Sequence, residues 1–269
     1  MIFLRFTKSI FYLTFILFDV IIFLTEINFK RRYNMKVTVW NENYHEKTHP
    51  VVLENYPGGI HGYLANMLGC DDIETRTATL DDEECGLTDE VLSKTDVLVW
   101  WGHAGHELVP DRVVDRVQKY VHAGMGLVVL HSGHHSKIFR RLMGTTCHLK
   151  WRDEARERIW TIAPNHPIAA GVPETFVLEP EEMYGERFDI PTPDDVIFIG
   201  WFNGGEVFRS GCTWTRGNGK VFYFQPGHES NPSFRNEFVQ RIITNGVKWA
   251  CPVTKNLEIV CPHFEALEK

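Results

Sequence analysis

The sequence predicts an α/β fold in which a doubly wound parallel sheet lies between two layers of helices. Three observations carry this. The runs Val97-Leu-Val-Trp-Trp101 and Gly126-Leu-Val-Val-Leu130 are apolar at every position, as strands covered on both faces must be. Extended and helical patterns alternate through the first half, the order that builds βαβ units with right-handed crossovers. Polar clusters rich in histidine follow the apolar runs at once, where an open parallel sheet places its ligands.

Taken in order, Lys36–Trp40 reads as the opening strand and 58–69 as a helix with Ile60, Leu64, Met67 and Leu68 on one face. Ile73–Leu80 alternates Ile and Thr with charge, as a strand near a sheet edge does. Residues 87–94 form a short helix, with Thr88 as N-cap and Glu90 in the first turn. Asp96–Trp101 is a buried strand. Pro110–Ala123 is a helix opened by proline and stopped by Gly124. Gly126–His131 is the next strand, and a tight Ser132-Gly133 turn leads into a helix through Met143. The middle changes character: Thr145–Arg158 is polar and aromatic, and 165–171 reads as a loop. Thr175–Leu178 and Val196–Trp201 read as strands. The Arg216-Gly-Asn-Gly-Lys220 stretch is a hairpin turn into Val221–Gln225, and Ser233–Trp249 is the last helix. The domain is thus expected over 35–252, with an inserted aromatic and acidic segment and a surface tail over 253–269.

Residues 1–34 differ in composition from the rest. Ile10–Leu24 is an apolar run broken by Asp19 and followed by Lys30-Arg31-Arg32, shorter than the roughly 20 residues a spanning helix needs. Met35 stands directly before a good strand, so 1–34 is read as an over-extended start or a leader outside the fold. The formal net charge of −7 and the lack of a basic stripe argue against a nucleic-acid partner. The cysteines, Cys70, Cys85, Cys147, Cys212, Cys251 and Cys261, form no CxxC pair and no disulfide framework. A reducing, cytoplasmic compartment is expected, with no membrane partner.

Four clusters follow predicted strands: 41–46 with Glu42 and His45; 102–107 with His103 and His106; 131–137 with His131, Ser132, His134, His135 and Lys137; and 226–229 with His228 and Glu229. A lone histidine at a strand end is usually structural, but four clusters on one rim call for another explanation. Imidazole and carboxylate are the ligands a zinc-type divalent metal prefers, so His103, His106, His131 and His228 are candidate ligands. The strand–turn–helix at 131–133 has the geometry of a nucleophile elbow. Counting back from Gly133 puts His131 at its apex, so a Ser132-His228-Glu229 triad needs a shift of register. Alternatively, Ser132-Gly133 is only the tight turn. In the middle segment Glu182 and Glu186 are candidate acid–base groups. His45, Lys137, Trp151, Arg152 and Tyr184 are candidate substrate-binding residues.

Five blocks, Trp101–His106, Leu130–His134, Met183–Ile190, Glu206–Cys212 and Tyr223–Glu229, resemble the ThuA-like trehalose-utilisation family in correct order. The resemblance spans roughly residues 35–252 and implies a flavodoxin-like, class I glutamine-amidotransferase-like fold. True amidotransferases carry Cys at the elbow and a His-x-Glu pair after a later strand. This chain has no elbow Cys, and His228-Glu229 are adjacent, which argues against glutamine hydrolysis. The resemblance also implies a role in disaccharide catabolism beside sugar dehydrogenases that make 3-keto sugars.

Together these readings predict a metal-assisted or acid–base enzyme on a glycoside or keto-glycoside. Its cofactor would be a divalent metal, zinc by preference, its partner a small carbohydrate, with a sugar dehydrogenase of the same route and a homo-oligomer as further expectations. The competing readings are a metal-independent hydrolase using Ser132 with His228, and a non-catalytic sugar-binding partner of a dehydrogenase.

Overall fold

A computed structural model describes residues 34–70, 72–255 and 262–268. The leader or upstream start expected over the first 34 residues falls almost wholly outside the described residues, as do Cys261 and part of the expected tail.

The chain builds one nine-stranded sheet in the order β2-β1-β3-β4-β9-β8-β7-β5-β6. Strands β1 (Met35–Asn41), β3 (Val97–Trp101), β4 (Gly126–Leu130) and β9 (Gly219–Phe224) are parallel neighbours. Their continuous apolar sequence is explained by cover on both faces. Trp40, Trp100, Val129 and Tyr223 form one register row and share a core with Val113, Val117, Ile138 and Phe139. The helices supplying that layer are α4 (Asp89–Lys94), α5 (Asp111–His122) and α6 (Lys137–Met143). On the other face α7 (Glu237–Ala250) lies so close that a Cβ on Gly246 would stand 2.5 Å from Phe222 Cδ1.

Local signals set several element ends. Thr88 caps α4 by accepting from Val91 N, and Ser136 caps α6 by accepting from Phe139 N. Asn236 accepts from Phe238 N and Val239 N, so α7 begins at Glu237, after a 3₁₀ turn at Ser233–Arg235. Between β1 and β2 (Ile73–Thr79) the chain forms α1 (His45–Thr48), α2 (Pro50–Asn55) and α3 (Gly59–Leu68). The first two were not legible as helices.

The main departure from expectation lies in the middle. The sheet is parallel only in part: β5 (Lys150–Thr161), β6 (Thr175–Gly185), β7 (Asp195–Phe202) and β8 (Val207–Arg216) extend it as antiparallel strands. Much of the stretch read only as polar and aromatic, Thr145–Arg158, belongs to β5. Its buried positions, Ala155, Glu157, Ile159 and Thr161, do alternate. One of them is a carboxyl, which hides the two-residue period. Register shifts between Arg152 and Ala155 and between Ala155 and Glu157 mark a bulge where β5 faces β6.

Candidate functional site

The register of the parallel strands explains why four separate clusters meet. Asn41, Trp101, Leu130 and Phe224 are paired across β1, β3, β4 and β9. The next residues, Glu42, Gly102, His131 and Gln225, therefore leave the sheet at one level. The antiparallel arm brings in the end of β6, which carries Glu182 and Tyr184.

His131 is fully buried and sits at the elbow apex with φ +50°, a left-handed backbone that a non-glycine residue adopts at some cost. Gly133 makes the tight turn possible, since a Cβ there would stand 2.9 Å from Val129 Cγ1. His131 Nδ1 donates to the Gln225 carbonyl at 2.9 Å, so in the neutral ring Nε2 is the lone-pair nitrogen. That nitrogen faces Glu182 Oε2 at 3.0 Å. The pair is joined either by a proton on Nε2, which makes it an imidazolium–carboxylate hydrogen bond, or by a cation held between the two atoms.

The remaining groups close around this pair. Potential ligand atoms of His103, His131, Glu182 and His228 all lie within 4.8 Å of one another, as do those of His45, His103 and Glu229. Glu229 Oε1 is 3.7 Å from His45 Nε2, 3.7 Å from His103 Nδ1 and 3.6 Å from His228 Nε2. Outer groups hold these residues in place. Buried Glu42 accepts from Ala104 N at 2.8 Å and Gly105 N at 2.7 Å, and lies 3.5 Å from His45 Nδ1. Glu181 accepts from Glu182 N, Gly227 N, His228 N and the Ser233 hydroxyl, and so ties the His228 loop to β6. Trp101 Nε1 donates to the Gly227 carbonyl at 3.0 Å. The centre opens into a cleft of about 550 Å³ walled by His103, His106, Ser132, His134, His135, His148, Trp151, Asp153, Glu182, Tyr184 and His228.

The ThuA family, described as trehalose utilisation, matches residues 36–250. The chain belongs to the ThuA family. Among solved structures it is similar to a ThuA-like protein from Parabacteroides merdae, with a TM-score of 0.59 at 15% identity over 84% of this chain and 93% of that one. A ThuA-like protein from Bacteroides uniformis gives 0.59 at 16% identity, covering 81% and 91%. A cytoplasmic protein from Salmonella typhimurium gives 0.54 at 12% identity, covering 81% and 100%. At these identities the structures speak for the fold alone, an α/β architecture of the class I glutamine-amidotransferase-like kind. No curated protein matches the sequence.

In this ThuA-family chain burial sets the electrostatics of the rim. His103 is pushed down to about 2 by burial and by neighbouring His131, His45 and His228. Burial also lowers His106 to about 4 and His134 to about 3. These rings are neutral at physiological pH. Burial would lower His131 too, but Glu182, then Glu181 and Glu229, outweigh it and its pKa is raised. Glu182 is held below the usual carboxylate range: burial alone would raise it, and His131 and His228 overcome that.

Of the residues singled out in the sequence, His45, His103, His131, Glu182, His228 and Glu229 meet at the centre, and His106, Ser132, Trp151 and Tyr184 line the cleft. Tyr184 stacks on His131 with ring centroids 5.1 Å apart, and its hydroxyl lies 3.4 Å from His131 Nε2. The others are engaged elsewhere. Glu186 receives a two-point contact from Arg209, at 2.7 and 2.9 Å, and accepts from Phe188 N. Lys137 bonds the Val109 carbonyl and Asp111. Arg152 is paired with Glu206. All three long polar chains found nearer partners of opposite character. His106 joins the wall of the cleft, outside both four- and three-residue groupings. Ser132 interacts with the Tyr184 hydroxyl, and no hydrogen bond joins it to His228 among the described residues. Sequence reasoning missed the work of Glu42, Gln225 and His148. Glu42 stood in a flagged cluster, but nothing in its neighbours distinguished it.

Proposed function

We propose that this chain is a carbohydrate-processing enzyme of trehalose or disaccharide utilisation, cytoplasmic, with a divalent-metal centre at His103, His131 and Glu182. The observation that carries the reading is the gathering of ligand atoms from His103, His131, Glu182 and His228 within 4.8 Å of one another, with His131 Nε2 3.0 Å from Glu182 Oε2. The donor set fits the ion: neutral imidazoles and a carboxylate suit zinc. Glu229 Oε2 is buried without a hydrogen-bond partner in the protein, a cost of about 1–3 kcal/mol unless something satisfies it. A bound ion would supply Lewis-acid polarisation of a keto or hydroxyl oxygen.

The protein's own groups divide the remaining work. His228 Nδ1 accepts from Ser230 N at 3.2 Å, so its neutral ring carries hydrogen on Nε2, facing Glu229. In its imidazolium form His228 can donate a proton to substrate and return to the neutral ring, and Glu229 beside it stabilises the charged form. To serve as a ligand through Nε2, His228 would first have to give up the Ser230 contact. Glu182 has one oxygen, Oε2, toward His131 and the proposed ion, and its second oxygen would be left to take a carbon-bound or hydroxyl proton. Tyr184 covers one face of the His131 ring, with centroids 5.1 Å apart.

The test is elemental analysis of metal-replete protein together with turnover of 3-keto-trehalose and related glycosides. The expected result is about one divalent ion per chain, lost in His131→Ala and Glu182→Gln. His228→Ala should retain the ion and lose about 10²–10⁴-fold in turnover. Absence of metal with unchanged turnover in His228→Ala overturns the proposal. A serine-reactive phosphonate that labels Ser132 would favour the metal-independent hydrolase instead.

A further inference from the structure

The centre has two openings. Besides the cleft described above, a second cavity of about 580 Å³ is walled by Glu154, Arg156, Glu179, Asn203 and Asn231. The two share Asp153, Glu182 and His228. Each has the volume of a small-molecule site, about 300–1,000 Å³. The groups argued above to move protons therefore stand on the ridge between two compartments. The bulge of β5 builds that ridge: the register slips between Arg152 and Ala155, Glu154 has φ +54°, and Asp153 borders both cavities. A bulge beside a site re-aims side chains that a regular strand would turn away.

The two compartments differ in chemistry. The first is lined by imidazoles and by Trp151, which is 63% exposed and offers a flat apolar face. His106 Nε2 is buried there without a hydrogen-bond partner in the protein. The second is lined by carboxylates and the amides of Asn203 and Asn231. Its single guanidinium, Arg156, lies 3.4 Å from Glu179. Among the described residues lining either cavity, no lysine and no unpaired arginine is present to receive a phosphate or a carboxylate. Apart from the proposed ion, a ligand spanning both meets imidazoles, carboxylates and amides, a lining that suits a neutral ligand rich in hydroxyls.

We infer that the two cavities are unequal sugar subsites, that an uncharged two-ring glycoside binds across them, and that its linkage lies over Glu182 and His228. One ring stacks on Trp151 in the imidazole compartment. The other is held by the acid and amide compartment. This rests on the carbohydrate reading above and adds to it the placement and the preference against phosphorylated or acidic sugars.

The experiment is isothermal titration of the metal-replete full chain with trehalose, methyl α-glucoside and trehalose 6-phosphate, repeated on Trp151→Ala and on the double variant Asn203→Ala/Asn231→Ala. Circular dichroism would confirm folding; both sites are at the surface. The expected result is that each variant weakens trehalose at least tenfold. Methyl α-glucoside should respond to one compartment only, and trehalose 6-phosphate should bind more weakly than trehalose. Three results overturn the inference: trehalose unaffected by either variant, equal losses for the one-ring and two-ring glycosides in both variants, or tighter binding of the phosphorylated sugar. Each of these leaves the carbohydrate reading standing. Failure of every sugar to bind removes both, whereas the metal analysis stands or falls independently.

Discussion

His131 shows how much a single hydrogen bond can decide. Its Nδ1 contact to Gln225 fixes the tautomer and aims the second nitrogen at Glu182. Glu42 does the same one shell further out, with both oxygens spent on the backbone of the loop that carries His103 and one close to His45. Its carboxyl is held below the usual range: burial alone would raise it, but His45 and the loop amides prevail. Glu42→Gln replaces one acceptor with a donor facing a backbone N–H. The variant should lose about 1–3 kcal/mol of stability and about 10–100-fold in metal affinity. Denaturant melts and competition with a metallochromic chelator would measure the two. Unchanged metal affinity would show that the loop does not need the carboxylate. None of this was legible in the sequence, because Glu42, Asn43, His45 and Glu46 are equally polar on paper.

At the level of elements, the antiparallel arm completes the site, and Glu186 secures it. Sequence reasoning marked Glu186 as a catalytic candidate; in the fold it joins the end of β6 to β8 through Arg209. Burial would raise its pKa, but Arg209 and the Phe188 amide lower it below its ordinary value of 4.5. A depressed carboxylate contributes stability that is complete above its unfolded pKa and is lost as pH falls through its folded pKa. Glu186→Gln is therefore expected to melt lower than the parent at neutral pH, by about 1–3 kcal/mol. The two melting curves should converge in acid, below the carboxylate range. A gap that persists at low pH would mean that shape, not charge, carries the contact. Metal content should not change, which separates this residue from Glu182.

For the molecule as a whole, a ligand that binds only the folded state raises stability by mass action. At a hundredfold excess over Kd this is about 2.7 kcal/mol, which for a chain of this size shifts Tm by roughly 5–10 °C. Removing metal with a strong chelator should lower Tm by about that amount, and added zinc should restore it. A Tm indifferent to both would argue against an ion at the centre. Among the described residues no helix is long and apolar enough to cross a membrane.

The sequence alone determined the parallel half of the fold and the histidine-bearing rim. Unbroken apolar strands have one stable environment, a sheet covered on both faces, and the residues after them must emerge at its edge. It could also say that the elbow apex holds a histidine where an amidotransferase needs a cysteine. Only the tertiary structure decided the rest. Whether a polar side chain is free or spent depends on what lies opposite it, so Glu186, Lys137 and Arg152 found salt-bridge partners far along the chain. Glu182, by contrast, came to rest 3.0 Å from His131. The antiparallel arm was hidden for the same reason. Its strands are stabilised by pairing with each other, and a buried carboxyl such as Glu157 breaks the periodicity by which a strand is recognised.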